Sequence, residues 1–564
     1  MIFQSSLPRV SIPNTDIATF CFEKGKKEHN SSSKRSSFAI VDGPSEKQFN
    51  ISELEKKSEE FASGLTHQLN LQPDDVVAFF SPNTIFYPIV SLGTIMAGNI
   101  ITLANPTYTS RELAHQLKDS NSKVLVTQSH LLSVAEEAIL LSKLNIPASH
   151  IILVDTFTNP NSKYTHIEQL YSFLPFKRLS ITTEKEADDR TAVLFYSSGT
   201  TGTSKGVILT HKNILTCAVI CTSFLYSDGQ FQTEKYPNCY IAVLPHYHVY
   251  GFVMNMIIGV STATGIVVVP SFEIGSFLKM IEKYRVTYAH IVPPIVLSIL
   301  NYSQAHKFDL SSLRILLTGA APIGKDVLSK FKKNYSDKIV IQAYGMTETS
   351  PTVTIASISQ QNNGSSGILL SNTEAKVIDE NGNMLKYNQT GELCFRGTNV
   401  MKGYLNNIEA TESSIDRDGF MHTGDVGYVD STGNYHIVDR IKELIKYKGY
   451  QVAPAELESL LFLHSDVSDS AVIGVYDKKQ ATELPKAFIT LVPSAENLPQ
   501  DQIEIKLNDI KKWVDAQVAP HKKLRGGIQV LSVIPKTASG KILRKDLRNF
   551  EAASQKLKGL SNKL

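Results

Sequence analysis

The chain has 564 residues, 42% hydrophobic and 20% charged, with a net charge of +3. This length exceeds what a single core supports, so two or three domains are expected, and the composition excludes a chain that is disordered beyond its ends. Five cysteines (Cys21, Cys217, Cys221, Cys239 and Cys394) with no C-x-x-C pair exclude a disulfide framework and fit a reducing compartment.

From the N-terminus, MIFQSSLPRVSIPNTD lacks the basic start and apolar run of a secretory signal. Val76 to Ser110 and Tyr236 to Phe272 carry no Asp, Glu, Lys or Arg, but Pro, Gly, Asn and Thr interrupt both, so neither is read as a membrane span. Within the first, VVAFFS, IFYPIVSLGTIMAG and IITLAN read as strand, helix and strand. Short apolar runs recur at KVLVT (123–127), HIILVD (150–155), TGIVVVP (264–270), TYAHIVPP (287–294) and LRILLTG (313–319), with helical segments between them. That spacing predicts parallel sheets covered by helices. Cys217 and Cys221 stand four apart, but with no second pair or neighbouring His motif they read as buried small apolar residues. From about residue 374, shorter strands with Gly-rich turns (EAKVIDENGNMLK, GELCFRG, GYVDSTGNYHIVD) predict a small antiparallel barrel or sheet. Beyond Asp439 a fresh alternation begins, with helical PAELESLLFLH, strands SDSAVIGVYD and PKAFITLV, and the amphipathic helix EIKLNDIKKWVDAQV. Residues 501–564 hold 14 Lys/Arg against 6 Asp/Glu, an excess that a solvated face or an anionic ligand explains.

The strongest local signal is FYSSGTTGTSKGV at 195–207, where a short apolar strand runs into Ser, Thr and Gly and closes on Lys205. Glycines let backbone N–H groups approach a phosphate, hydroxyls add donors, and the ammonium supplies a point charge. A Walker A loop would need Gly, Lys and Ser or Thr at 204–206. The chain has Ser204, Lys205 and Gly206, which argues against a P-loop kinase or GTPase. Standing alone, the stretch reads equally well as a surface loop.

Five further segments follow in order: QAYGMTETSP (342–351), GELCFRG (391–397), DGFMHTGDVGY (418–428), VDRIKELIKYKGYQVAPAELE (438–458) and PKTASGKILRKDL (535–547). Over nearly the whole chain, these six resemble the signatures of the acyl-adenylate-forming superfamily. GELCFRG and LLTGAAPIGKD tilt the resemblance toward its hydroxycinnamate (4-coumarate) and fungal phenylacetate CoA ligases. The resemblance implies an α/β fold, with an N-terminal adenylate-forming domain over residues 1–439 made of two α/β subdomains and a small β-barrel. A small mobile α+β C-terminal domain over 440–564 follows, of ordinary domain size. The implied activity is that of an acid–thiol ligase using ATP, Mg²⁺ and coenzyme A. Its acid would be aromatic, hydroxycinnamate- or phenylacetate-like, or a fatty acid, passing through an acyl-AMP before the C-terminal domain rotates.

By the same resemblance, Ser197, Ser198, Gly199, Thr200, Thr201 and Lys205 hold nucleotide phosphates, with Thr200 also beside the metal. Gln342, Ala343, Tyr344 and Gly345 frame the adenine, Thr347 bonds the α-phosphate, and Glu348 is the hard oxygen ligand that Mg²⁺ requires. Asp425 takes the ribose hydroxyls with Arg440 beside it, although taken singly Asp425 reads as a turn residue after Gly. Lys541 enters the site during adenylate formation, where an ammonium offsets charge building on the phosphoryl oxygens; in isolation it would be a solvated surface residue. Lys442 falls at the hinge, Lys446 and Gln451 at nucleotide or acyl contacts, and Lys448 and Gly449 on the coenzyme A side, where an unaided reading gives only a wet basic face. In LPHYHVYG, His248 matches the histidine of the acyl pocket, while the extra His246 reads either as a satisfied core histidine or as the one that faces the substrate in its place. Tyr250 and Ala320 match that pocket's walls.

The chain departs from the pattern at Ser204, where the family commonly has Pro, and at Ser271, where plant hydroxycinnamate ligases carry a coenzyme A-binding Lys. Carrier-loading adenylation enzymes and luciferase-like oxygenases share the nucleotide motifs, and thioester formation with free coenzyme A separates them. A non-catalytic nucleotide-binding homologue is separated by pyrophosphate release. The terminal Ser-Asn-Lys-Leu resembles, without matching, the Ser-Lys-Leu peroxisomal address, so peroxisome or cytoplasm is expected. No nucleic-acid partner is expected, and the sequence sets no oligomeric state.

Overall fold

The computed structural model describes the chain except residues 32–35, 156–162, 198–203, 231–234, 322, 361–363, 449, 478–479, 481, 493–494, 496–497, 538–539 and 562–564. The charge-free stretch after Val76 is the strand Val76–Phe80, the helix Tyr87–Met96 and the strand Ile100–Ala104. Every residue of that helix and of the first strand is buried, which is why neither carries a charge. Both strands pair in parallel inside an eight-stranded sheet that also holds Ser122–Thr127, Ile151–Leu153, Thr191–Ser197 and Lys205–Thr210. Among the described residues, no helix is long and apolar enough to cross a membrane.

A nine-stranded sheet carries the remaining apolar runs. Its parallel centre orders Ile339–Gly345, Ile315–Thr318, Tyr288–Ile291, Cys239–Ala242 and Gly265–Val268. Between the two sheets lie buried faces of the helices Ile17–Ser31, Ile51–His67, Tyr87–Met96 and His211–Ser227, forming one core continuous with both. Cys217 and Cys221 sit in that core with their sulfurs 3.8 Å apart, and all five cysteines are buried and free. Parallel strands end together, so the segments after Ala242, Ile291 and Thr318 gather at one edge, the usual place for a ligand crevice in such sheets.

The small β unit is a five-stranded antiparallel sheet containing Thr373–Ile378, Gly391–Gly397, Met421–Val429 and Tyr435–Arg440. Its outer strand is Ile2–Gln4, from the far end of the sequence, with Phe3 in register with Ala375. Residues 445–524 build a separate core from Ile445, Leu457, Ile489, Ile510 and Leu524 among others. Much of the basic excess after residue 501 is spent internally: Lys506, Lys511, Lys522, Lys536, Arg544 and Arg548 each face a carboxylate within 2.8 Å. An anionic ligand is therefore not required to account for those six.

Candidate active site

Asp425 lies inside a strand, not at a turn, and antiparallel register sets it opposite Arg440. Arg440 Nε stands 3.2 Å from Asp425 Oδ1, and the Tyr344 hydroxyl donates to Oδ2 at 2.7 Å. Burial pushes the Asp425 carboxyl up, against the downward pull of Arg440, Tyr344 and Lys541. Tyr344 rests on Phe395, its ring 5.9 Å away, and is half-buried. Its neighbour Gly345 must be glycine, because a Cβ there would lie 1.7 Å from the Pro351 carbonyl oxygen. Gln342 is committed to the loop that carries Ala320: its amide accepts from Ile323 N at 3.3 Å and donates to Ser365 O at 3.2 Å. Ala343 lies beside it in the same strand.

The phosphate-loop segment turns out to be a hairpin. Ser197 ends one strand, Lys205 begins the next, and the two are antiparallel partners. A Walker loop leads from a strand into a helix N-terminus, so the topology excludes it independently of the residues. Ser198, Gly199, Thr200 and Thr201 lie outside the described residues. At the hairpin's base, Glu348 is buried and accepts on Oε1 from Ser197 Oγ at 3.3 Å and from the Tyr404 hydroxyl at 2.9 Å. The Lys205 ammonium stands 4.8 Å from the centre of the same Tyr404 ring. Thr347 precedes Glu348 in a single 3-10 turn, so QAYGMTET is a strand end plus a turn. A buried, all-oxygen setting of carboxylate and hydroxyls suits Mg²⁺.

The two histidines of LPHYHVYG differ. His246 is fully buried, edge-on to Tyr87 at 5.2 Å, and burial pushes its imidazole down to about 3. It is not a satisfied core histidine: neither ring nitrogen has a hydrogen-bond partner among the described residues. His248 is half-buried, with its imidazole pushed by burial to about 4. Tyr250 donates to Leu317 O at 3.0 Å and backs onto Gly319. Ala320 is exposed and left-handed at φ 68°, a conformation that costs a non-glycine residue energy and recurs at functional sites. His290, which no sequence motif marks, is fully buried with both ring nitrogens unpartnered among the described residues. Each such atom costs roughly 1–3 kcal/mol. Its only signal is one polar letter in the apolar run TYAHIVPP.

Lys541 closes the site from the C-terminal domain. Thr537 N donates to Lys541 O at 2.8 Å, and Lys541 N donates to Thr537 Oγ1 at 3.1 Å, so the loop is tied to itself. Gly540, at φ 78°, docks it against the other domain: a Cβ there would lie 3.1 Å from Val292 and 3.4 Å from Pro294. Burial first, then the nearby Arg440, pushes the Lys541 ammonium down to about 8, with Asp425 and Glu443 pulling the other way. Lys541 thus shares one electrostatic environment with the Asp425–Arg440 pair. Lys442, Lys446, Lys448 and Gln451 are exposed, the last three on or beside the hairpin Ile445–Tyr447 and Tyr450–Val452. Gln451 donates to Glu380 at 3.2 Å. Gly449 lies outside the described residues.

The AMP-binding enzyme family profile matches residues 27–405, and that of the AMP-binding enzyme C-terminal domain matches 456–541. A 4-coumarate–CoA ligase of Vanilla planifolia is 36% identical over 98% of this chain and 97% of its own. A 4-coumarate–CoA ligase 2 of Nicotiana tabacum is likewise 36% identical, over 98% of each chain. The anthranilate CoA ligase AuaEII, solved with anthranoyl-AMP, superposes with a TM-score of 0.81 at 22% identity over 97% of this chain and 99% of that one. With this fold, these motifs and these relatives, the chain belongs to the acyl-adenylate-forming AMP-binding enzymes, in their 4-coumarate–CoA ligase-type branch of AMP-forming acid–thiol ligases.

Proposed function

We propose that this ligase activates an aromatic acid of the hydroxycinnamate kind, and that Lys541, Asp425, Arg440 and Glu348 carry the first half-reaction. Lys541 arriving, from a separate domain, beside the Asp425–Arg440 pair supports the residue roles, and similarity to 4-coumarate–CoA ligases supports the acid class. A carboxylate oxygen of the acid attacks the α-phosphorus of ATP, the bond to pyrophosphate breaks, and acyl-AMP remains. Asp425 and Arg440 hold the ribose, Tyr344 stacks on the adenine, and Thr347 bonds the α-phosphate. The Lys541 ammonium then faces the negative charge that develops on the phosphoryl oxygens. Glu348, with Ser197 and Tyr404 ordering it, would hold a Mg²⁺ that neutralises the phosphates. In the second half-reaction the coenzyme A sulfur attacks the acyl carbon, AMP leaves with its phosphate oxygen, and the thiol proton passes to solvent.

A pyrophosphate-release screen over cinnamic, phenylacetic, benzoic and medium- and long-chain fatty acids, with and without EDTA, tests acid class and metal together. Strongest release with a fatty acid overturns the aromatic reading, and release undiminished by EDTA overturns the metal. We further infer a peroxisomal or cytoplasmic location from the terminal Asn-Lys-Leu. An N-terminal fluorescent fusion, with and without residues 562–564, distinguishes the two.

A further inference from the structure

The small β unit gathers a thiol, an imidazole and a carboxylate that neither half-reaction uses. Cys394 and His422 are register partners on the antiparallel strands Gly391–Gly397 and Met421–Val429, and Glu392 lies two residues before Cys394, on the same face. Glu392 pairs with Val426 while Cys394 pairs with His422, so the facing strand spends four residues where this one spends two. That bulge swings His422 between the other two side chains. His422 Nδ1 stands 3.7 Å from Cys394 Sγ and 3.2 Å from Glu392 Oε2, and all three atoms lie within 4.8 Å of one another.

One nitrogen thus faces two partners, and a single N–H cannot point at both. A metal ion can serve all three atoms at once. Zinc bonds of about 2.0–2.3 Å at tetrahedral angles place neighbouring ligand atoms about 3.3–3.6 Å apart, close to the spacings here. The surrounding groups hold each ligand in place. Glu392 Oε1 accepts from Gly424 N at 3.0 Å, which leaves Oε2 for an ion. His422 Nε2 stands 3.4 Å from Asp416 Oδ2, the carboxylate–histidine arrangement that orients a metal-binding imidazole. Asp416 is itself fixed, because its Oδ1 accepts from Asp418 N and Phe420 N at 2.9 Å and its Oδ2 from Lys376 at 2.5 Å. Charge also balances: thiolate and carboxylate supply the two negative charges that a divalent ion neutralises, and Asp416 with Lys376 is neutral by itself. Cys394 packs with Ile378 and Phe420 on the dry side, while His422 and Glu392 are partly exposed, which gives an ion a way in. In the metal-free chain Cys394 and then Glu392 raise the His422 imidazole to about 10, so an entering ion displaces two protons, one from the thiol and one from the imidazolium.

We propose that Glu392, Cys394 and His422 form a zinc site, with water as the fourth ligand, that ties the strand carrying Asp425 to its neighbour. Thiolate and imidazole suit zinc, whereas Mg²⁺ prefers an all-oxygen setting, so this site is distinct from the one at Glu348. The test titrates full-length protein, stripped with EDTA and dialysed, with Co²⁺ and then Zn²⁺ at pH 8. Co²⁺ should bind at one equivalent per chain and give a thiolate-to-cobalt charge-transfer band in the near ultraviolet, which Zn²⁺ should abolish and excess Mg²⁺ should not. Cys394→Ser should remove the band. His422→Gln should weaken Zn²⁺ binding by about a hundredfold or more, and Asp416→Asn by about tenfold or more. Zn²⁺ at roughly 100 times its Kd should raise Tm by about 3 °C in the unmodified protein and leave it unchanged in His422→Gln. Absence of the band from the unmodified protein overturns the proposal, as does a Tm indifferent to Zn²⁺. A band that survives Cys394→Ser also overturns it, by placing the ion at another thiol, such as the Cys217 and Cys221 pair. None of these readouts involves substrate, so their failure leaves the ligase reading standing, and failure of that reading leaves this site untouched.

Discussion

Arg544 holds both carboxylate oxygens of Glu458, at 2.6 and 2.7 Å, in the interior of the C-terminal domain. Glu458 Oε1 also accepts from Val472 N at 2.8 Å, and Arg544 Nε donates to Val472 O at 3.2 Å. Arg544 opens the last helix three residues beyond Lys541, so the pair anchors the loop that brings Lys541 to the other domain. Removing one member leaves a buried charge alone, and Arg544→Leu should cost about 3–5 kcal/mol. The double change Arg544→Leu with Glu458→Leu should recover part of that loss. Urea unfolding followed by limited proteolysis of the C-terminal domain measures both, and a single-variant loss below about 1 kcal/mol would remove the pair from this role.

The Lys541 environment predicts a pH limit on the first half-reaction. Burial and Arg440 lower its pKa from the usual 10.5 to about 8, so in the free enzyme the ammonium is lost as pH rises through about 8. The charged form is the one that offsets phosphoryl charge, so adenylation should be full below that value and decline above it. The profile of kcat/KM for ATP reports the free enzyme and should show this alkaline limb. Lys541→Arg, whose guanidinium does not titrate in this range, should show no limb whatever its absolute rate. A limb that persists in the arginine variant belongs to another group.

The parallel strands were readable in the sequence because burial on both faces forces continuous apolar runs such as VVAFF and GIVV. Asp425 was not readable from its neighbours, since TGD fits a turn equally well, and only the pairing of two strands places it against Arg440. The strand Ile2–Gln4 was hidden for a related reason: three residues carry no period, and its partners lie some 370 positions away. His290 is the clearest case. Whether an imidazole is satisfied depends on what surrounds both nitrogens, and that is a property of the packed core.

Ala320 supports two opposite substitutions. Its left-handed backbone, φ 68°, suits glycine, so Ala320→Gly should stabilise the protein by up to about 1 kcal/mol, measured as a Tm increase. Ala320→Leu keeps the same backbone strain but adds three carbons beside the Tyr250 wall. Bulky acids should then lose roughly 1–3 kcal/mol of transition-state binding through overpacking, while KM for ATP stays nearly constant. A substrate profile unchanged in Ala320→Leu would put the residue outside the pocket.

Lys541 and Lys442 should fail in different half-reactions. Lys541 is half-buried beside the Asp425–Arg440 pair, whereas Lys442, two residues after Arg440, is exposed where the chain passes into the C-terminal domain. Lys541→Ala removes one stabiliser of developing charge and should slow adenylate formation by about 10² to 10³-fold. On the rotating-domain mechanism that the family resemblance implies, thioester formation from added acyl-AMP should survive, because that step would turn the Lys448 side toward the site. Lys442→Pro leaves Lys541 in place but fixes φ and removes a backbone donor at the hinge, so the second step should suffer more than the first. Single-turnover rates for each half-reaction, with the fold checked by circular dichroism, separate the two behaviours. If Lys541→Ala slows both half-reactions equally in a folded protein, one fixed arrangement serves both steps and the rotating-domain mechanism does not hold for this ligase.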